Sequence, residues 1–413
     1  MDPAVGAPPA VTPIGGSLRI LFWGTPDFAV PPLRALLGEG FDVVGVVTQP
    51  DRPRGRGRSR LDPSPVKQVA LAEGLPVLQP ERPRGEAFLE AMRALAPDLS
   101  VVVAYGHILP RAVIDLPTHG TLNIHASILP ALRGADPIRA AIRQGLAETG
   151  VSIMRMVPAL DAGPVLHVHA TPIADDETYG ELAARLSELG AQALVEALAL
   201  MQSGGVAEVP QDDARATYAP KTEREDARLD WTRPAEDVAR QVRAHDPRPG
   251  AFATLRGAEV KLFGARAVRV EERPDVAPGE VIALGDAGMD VKCGEDAVRL
   301  THVQPAGRAR MQVGDWRRGR GVELGDLFDG APPAGARLPA GEAGAPTAES
   351  LFWVRRGIAA GLHLLVVVAL VAVGAKHFGD WGTGAAAGTL YLLLPYTAYH
   401  VGQVHHVWPA ALV

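Results

Sequence analysis

The sequence predicts an α/β protein: a Rossmann-like, doubly wound, mostly parallel sheet, then a small OB-like β-barrel, then a helical transmembrane tail. Three observations carry this expectation. Continuous β-branched apolar runs alternate with amphipathic segments before residue 205, the pattern of a sheet covered by helices on both faces. Short alternating strands punctuated by glycine follow from about residue 251, as in a small closed sheet. Near the end of the chain, residues 357–375 contain no charged side chain and are long enough to cross a hydrocarbon core of about 30 Å.

Taken in order, residues 1–16 are rich in Pro, Gly and Ala and lack a basic start before an apolar core, so they read as a disordered leader and not a secretory signal. Strands are expected at 18–24 (LRILFWG), 41–49, 75–79, 99–106 and 121–127. Helices fit between them at 31–38, 64–73, 85–95 and 137–146. A strand at 151–157, a hairpin partner at 164–173 and a long helix at 178–202 complete a first domain over 17–205. Residues 206–222 form a polar linker. The second domain, 223–330, opens with a helix near 234–244 and continues as short strands. A Pro/Gly/Ala linker, 331–350, leads to the hydrophobic tail, 351–413.

A chain of 413 residues can bury two or three proper cores. Cys293 is the sole cysteine, which excludes an intrachain disulfide and suits a reducing cytosol. A formal net charge of −6 argues against a surface that coats nucleic acid, so any such contact is local. The first strand ends in GTPDF, neither a GxGxxG fingerprint nor a Walker loop, and a dinucleotide or ATP site is not supported.

Chemistry concentrates in 120–137, GTLNIHASILPALRGADP. The strand delivers Asn123 and His125 on one face at i, i+2 spacing. A loop containing Pro130 and Gly134 follows, and a helix restarts at Pro137. An amide, an imidazole and a distant carboxylate, Asp161 in LDAGPVL, are the parts needed to move an acyl group onto an amine. A strand histidine is also commonly an ordinary satisfied one, so spacing alone does not decide. In open α/β sheets, however, ligands sit beyond the carboxyl ends of the strands, where GTPDF, AYGHILP and NIHASILP all fall. The loop after the second strand carries Arg52, Arg54, Arg56, Arg58 and Arg60 at alternate positions. Such a run cannot pack and reads as a solvated, mobile loop, either merely solubilising or able to grip phosphates. A second basic stretch runs from Arg308 to Arg320, and two such surfaces suit a long polyanion.

Over about residues 18–328 the chain resembles the methionyl-tRNA formyltransferase family. The resemblance rests on RILFWGTPDFAV, VVGVVTQPDRPRGRG, PSPVK, VVVAYGHILP, NIHASILP, RGADPI, LDAGPVL, RLDW and VQPAGRARM. It implies transfer of the formyl group of 10-formyltetrahydrofolate to the amino group of initiator methionyl-tRNA, by a cytoplasmic monomer that needs no metal. It implies Asn123, His125 and Asp161 as the catalytic trio, with Asn123 serving the oxyanion, His125 polarising or relaying the proton, and Asp161 orienting the imidazole. Folate would be held by Tyr105 and Gly106 and by Ser127, Ile128, Leu129 and Pro130, with Arg133 completing the wall. Arg56 matches a tRNA-contacting arginine, with Arg54, Arg58, Arg308 and Arg310 as further contacts. Ala126, Ala131, Leu132 and Asp136 depart from the family pattern, and Asp136 is expected to place a charge near the site.

Two rival readings remain at this level. One is a folate-dependent formyltransferase acting on a sugar-nucleotide amine, whose need for polyanion contacts is smaller. The other is a non-catalytic RNA-binding module, which an intact trio disfavours. The tail, with apolar stretches at 357–375 and 383–401, reads as a transmembrane hairpin, with Arg355 and Arg356 keeping the enzyme on the cytoplasmic side. Behind that first reading stand an incomplete polytopic domain and a joined reading frame, and Pro395 weakens the second span.

Overall fold

The structure, a computed structural model, describes residues 18–54, 60–205, 207–271 and 275–329. The expected leader, the 331–350 linker and the hydrophobic tail lie outside the described residues. Among the described residues no helix is long and apolar enough to cross a membrane.

The first half contains β1 (Arg19–Gly24), α1 (Val30–Gly38), β2 (Asp42–Val47), β3 (Arg52–Arg54), β4 (Arg60–Asp62), α2 (Pro65–Ala72), β5 (Val77–Leu78) and α3 (Glu86–Ala94). It continues with β6 (Leu99–Val103), α4 (Arg111–Ile114), β7 (Thr121–His125), α5 (Pro137–Gln144), β8 (Glu148–Arg155), β9 (Val165–Pro172) and α6 (Tyr179–Ser203). Seven strands form one sheet in the order β5-β2-β1-β6-β7-β8-β9. Pairing is parallel from β5 to β7 and antiparallel from β7 to β9. Strand order reverses between β1 and β6, so their carboxyl ends and that of β7 form the ligand edge.

The uninterrupted apolar strands have the expected physical cause. In β1, Ile20 and Phe22 enter a core with Leu182, Leu186, Leu194 and Leu198 of α6, whereas Leu21 and Trp23 enter another with Met92, Val102 and Tyr105. Both faces are dry, and each such large side chain stabilises the fold by roughly 1.5–3 kcal/mol. Helix starts follow local chemistry. Ser64 accepts from the Lys67 amide at 3.1 Å to cap α2, and Thr178 with Glu181 forms a capping box on α6.

Two features differ from the sequence reading. The arginine loop is not wholly free: its ends pair as an antiparallel ladder, with Arg52 opposite Asp62 and Arg54 opposite Arg60. Arg56 and Arg58 lie outside the described residues. The 206–222 segment is no passive linker, because Val209 bridges to Val165 and Tyr218 bridges to Arg133.

The second half comprises α7 (Ala235–Ala244), β10 (Ala251–Leu255), β11 (Ala258–Val268), β12 (Val281–Gly285), β13 (Gly288–Lys292), β14 (Ala297–Pro305), β15 (Met311–Gln312), α8 (Val313–Arg318) and β16 (Phe328–Asp329). Its antiparallel sheet runs β12-β13-β14-β11-β10-β16, with β15 on β14. A bridge between Glu280 and Leu327 brings the two ends together, so the sheet curls on itself. Inside lie Trp231, Leu262, Val291, Leu300 and Phe328, joined by Val238 and Val242 of α7.

Candidate active site

Strand β7 sets the geometry. Leu122 and Ile124 point into the α6-covered core, and pleating turns Asn123 and His125 to the opposite face. His125 is buried, and its Nε2 lies 2.9 Å from the Leu132 carbonyl. A carbonyl cannot donate, so Nε2 carries the hydrogen in every protonation state. Nδ1 is therefore the nitrogen left with a lone pair in the neutral ring, and it faces Asp161 Oδ2 at 3.7 Å. The Asn123 side chain is half-buried and has no hydrogen-bond partner among the described residues, which leaves its amide donor available.

Asp161 is held by two bonds of its own and by a third to its neighbour Gly163. Its Oδ2 accepts from the Gly134 amide at 2.8 Å, and its carbonyl accepts from Gln211 Nε2 at 2.8 Å. The same Gln211 nitrogen reaches the Gly163 carbonyl at 2.7 Å. Asp161 itself adopts φ 47°, unusual for a residue with a Cβ and tolerated best by Asp and Asn. Glycine is required at 163, where a Cβ would stand 1.8 Å from the Arg155 carbonyl oxygen. LDAGPVL is thus a clamp that aims one carboxylate at one imidazole.

The predicted folate wall divides into parts facing inward and parts facing outward. Ser127 spends its hydroxyl on the Ala131 carbonyl at 2.6 Å, Leu129 is buried, and Ile128 and Pro130 remain half-buried. Tyr105 points into the core against Trp23, with centroids 5.2 Å apart, and burial pushes its phenol up to about 12. Only its main chain reaches the ligand edge, where the carbonyl accepts from Gln49 Nε2 at 2.8 Å and Thr25 Oγ1 at 3.3 Å. Gly106 follows at φ 88°, and a Cβ there would lie 2.5 Å from Gln49 Nε2. Arg133 is a strut and not an open wall: it is buried and bonded to Gln211 at 2.8 Å and Asp213 at 2.8 Å. Asp136 does not charge the trio. It pairs with Arg139 at 2.5 Å, and Arg139 lies 4.1 Å over Tyr179.

Sequence reasoning missed Gln211 and Thr217, whose Oγ1 accepts from the Leu132 amide at 2.9 Å. Neither lies in a periodic segment; the usable signal was Arg133, a cation after a buried loop that had to find partners. It also missed Ile108, which is 88% exposed on the loop carrying Gly106 and offers an apolar face at the ligand edge. Of the proposed RNA contacts, Arg310 is engaged elsewhere: it grips Asp246 at 2.8 and 3.2 Å and lies 4.2 Å over Phe263. Arg308 is exposed and its guanidinium has no carboxylate partner among the described residues. Arg54 contributes main chain to β3.

Residues 18–198 match the family described as Formyl transferase, and residues 221–321 match Formyl transferase, C-terminal domain. The chain is 49% identical over 314 residues to the methionyl-tRNA formyltransferase of Aromatoleum aromaticum, covering 76% of this chain and 98% of the relative. It is 44% identical over 311 residues to that of Bacillus subtilis, covering 75% and 97%. Among solved structures, HypX from Aquifex aeolicus in complex with tetrahydrofolic acid gives a TM-score of 0.52 at 24% identity, covering 76% of this chain and 51% of that one. WlaRD, a sugar 3N-formyl transferase, gives 0.52 at 15% identity, covering 71% and 100%. These two likenesses concern the fold.

Proposed function

The chain belongs to the formyl transferase family, and on that premise we propose how its site works as a methionyl-tRNA formyltransferase. The enzyme transfers the formyl group of 10-formyltetrahydrofolate to the amino group of methionyl-tRNA for translation initiation. One observation carries this: relatives of that name match at 44–49% identity over nearly their whole length.

Attack of the methionyl nitrogen on the formyl carbon places negative charge on the formyl oxygen. Asn123 supplies the amide donor for that oxyanion, a contact of a kind worth about 2.7–4 kcal/mol. The proton lost by the attacking nitrogen passes to His125 Nδ1, and Asp161 balances the imidazolium that forms. The amine thereby becomes an amide as the bond from the formyl carbon to the folate nitrogen breaks, and the proton held by His125 passes to that departing nitrogen. A free amide donor on Asn123, and Nδ1 rather than Nε2 as the open nitrogen, support this fit. Backbone groups near Gly106 and the half-buried Ile128 and Pro130 hold folate.

We assign residues 17–205 to catalysis and 223–330 to an OB-like tRNA-binding domain, with Arg54, Arg56, Arg58 and Arg308 as phosphate contacts, while Arg310 is taken up by Asp246. The enzyme acts as a monomer in the cytoplasm, tethered to the membrane by its apolar tail. Fractionation of the full chain tests the tether, and full solubility would refute it. Formylation of methionyl-tRNA with 10-formyltetrahydrofolate tests the activity, with a sugar-nucleotide amine as the competing acceptor.

A further inference from the structure

We propose that the edge of the first sheet carries a site for a divalent transition-metal ion of the zinc class, built from His167, His169 and Glu196 and separate from the formyl-transfer centre. The sequence reading found no cluster with metal-ligand spacing. The fold creates one by laying the HVH run of β9 against α6. β9 is the edge strand, and i, i+2 spacing turns both imidazoles toward the helix. Glu196 Oε2 lies 2.8 Å from His167 Nε2 and 2.7 Å from His169 Nε2. All three ligand atoms fall within 4.8 Å of one another.

The geometry is close to that of a bound ion. A tetrahedral ion with bonds of about 2.0–2.1 Å holds its ligand atoms roughly 3.4 Å apart, so each N···O contact opens by little more than half an ångström while the two imidazole nitrogens, within 4.8 Å of each other, draw together. The supports are β9, which pairs in register with β8 from His167 to Pro172, and the helix α6, so the two histidines and the glutamate are fixed independently. Neither imidazole has a partner for Nδ1 among the described residues, so each can move its hydrogen there and turn the Nε2 lone pair inward. Side-chain exposures of 23%, 25% and 51% leave room for a water as fourth ligand. Two nitrogens and one carboxylate oxygen favour zinc, copper or nickel over magnesium or calcium.

The test is calorimetric titration of the full chain with Zn²⁺. The tail adds His363, His377, His400, His405 and His406, so the informative quantity is a difference. The parent should bind one equivalent more than His167→Ala/His169→Ala, and Glu196→Gln should weaken that equivalent by at least about tenfold while keeping the acceptor oxygen. If the double variant fails to fold, Glu196→Gln decides alone, through loss of the tetrahedral Co²⁺ absorption shown by the parent. Equal stoichiometry in parent and double variant, or an unchanged Glu196→Gln isotherm and Co²⁺ spectrum, would overturn the proposal. Formylation should be unchanged in every variant.

Discussion

Two buried histidines set the candidate active site against the region that joins the two halves of the molecule. His125 has a carbonyl on Nε2 and a carboxylate 3.7 Å from Nδ1. His245 is fully buried and donates from Nδ1 to the Gln241 carbonyl at 2.7 Å, while its Nε2 is buried without a partner. Burial, chiefly, with help from Arg139 and Arg143, pushes His245 down to about 4. It sits where Asp246 accepts from the Gly180 amide at 3.0 Å and Arg139 reaches the Arg248 carbonyl at 2.8 Å. Equal burial thus serves opposite ends. One ring has a carboxylate in reach, whereas burial, helped by nearby cations, keeps the other neutral.

The strongest way to break this contrast is to truncate each group in turn. His125→Ala or Asn123→Ala should lower turnover by at least about 10²-fold with the fold intact, as measured by single-turnover formylation and far-UV circular dichroism. His245→Asn, which keeps a donor for the Gln241 carbonyl, should leave turnover near that of the parent. Its effect belongs to stability. Because the folded His245 binds its proton more weakly than the unfolded chain does, stability is unaffected above about pH 6.5 and falls as the pH drops toward 4. The loss is on the order of 3 kcal/mol. Denaturant titrations should show that acid loss in the parent and not in His245→Asn.

Smaller effects sharpen the picture of the clamp. Gln211→Ala removes the bonds to the Asp161 and Gly163 carbonyls. At about 1 kcal/mol for each bond, kcat should fall by up to roughly thirtyfold while KM for folate changes little. Arg56→Ala should be milder still, weakening tRNA use and flattening its salt dependence by about one unit of slope. An unchanged slope would remove Arg56 from the phosphate contacts.

These predictions draw unequally on what the sequence revealed. The parallel sheet was legible because both faces of β1 are buried, which leaves a run of apolar residues no single-faced strand needs. Asn123 and His125 were legible as an i, i+2 pair, whereas Asp161, visible as a distant carboxylate, was tied to them through family resemblance. The scaffold around them was not. Gln211 and Thr217 come from a polar stretch without periodicity, and their importance appears only when that stretch folds back over Arg133. The inward turn of Tyr105 and the capture of Arg310 by Asp246 were hidden for the same reason: local sequence does not say which way a side chain at a loop turns. α4, a single turn from Arg111 to Ile114, is too short for any period to show.

The central claim is that Asn123, His125 Nδ1 and Asp161 together move a formyl group onto the methionyl amine of tRNA. Single-turnover formylation of methionyl-tRNA with 10-formyltetrahydrofolate, comparing the parent with Asp161→Asn across pH 6 to 9, tests it most directly. The account predicts rapid tRNA formylation by the parent and a loss of about 10²-fold or more in Asp161→Asn at every pH. Turnover in Asp161→Asn close to that of the parent, or a parent that formylates only a sugar-nucleotide amine, would contradict it.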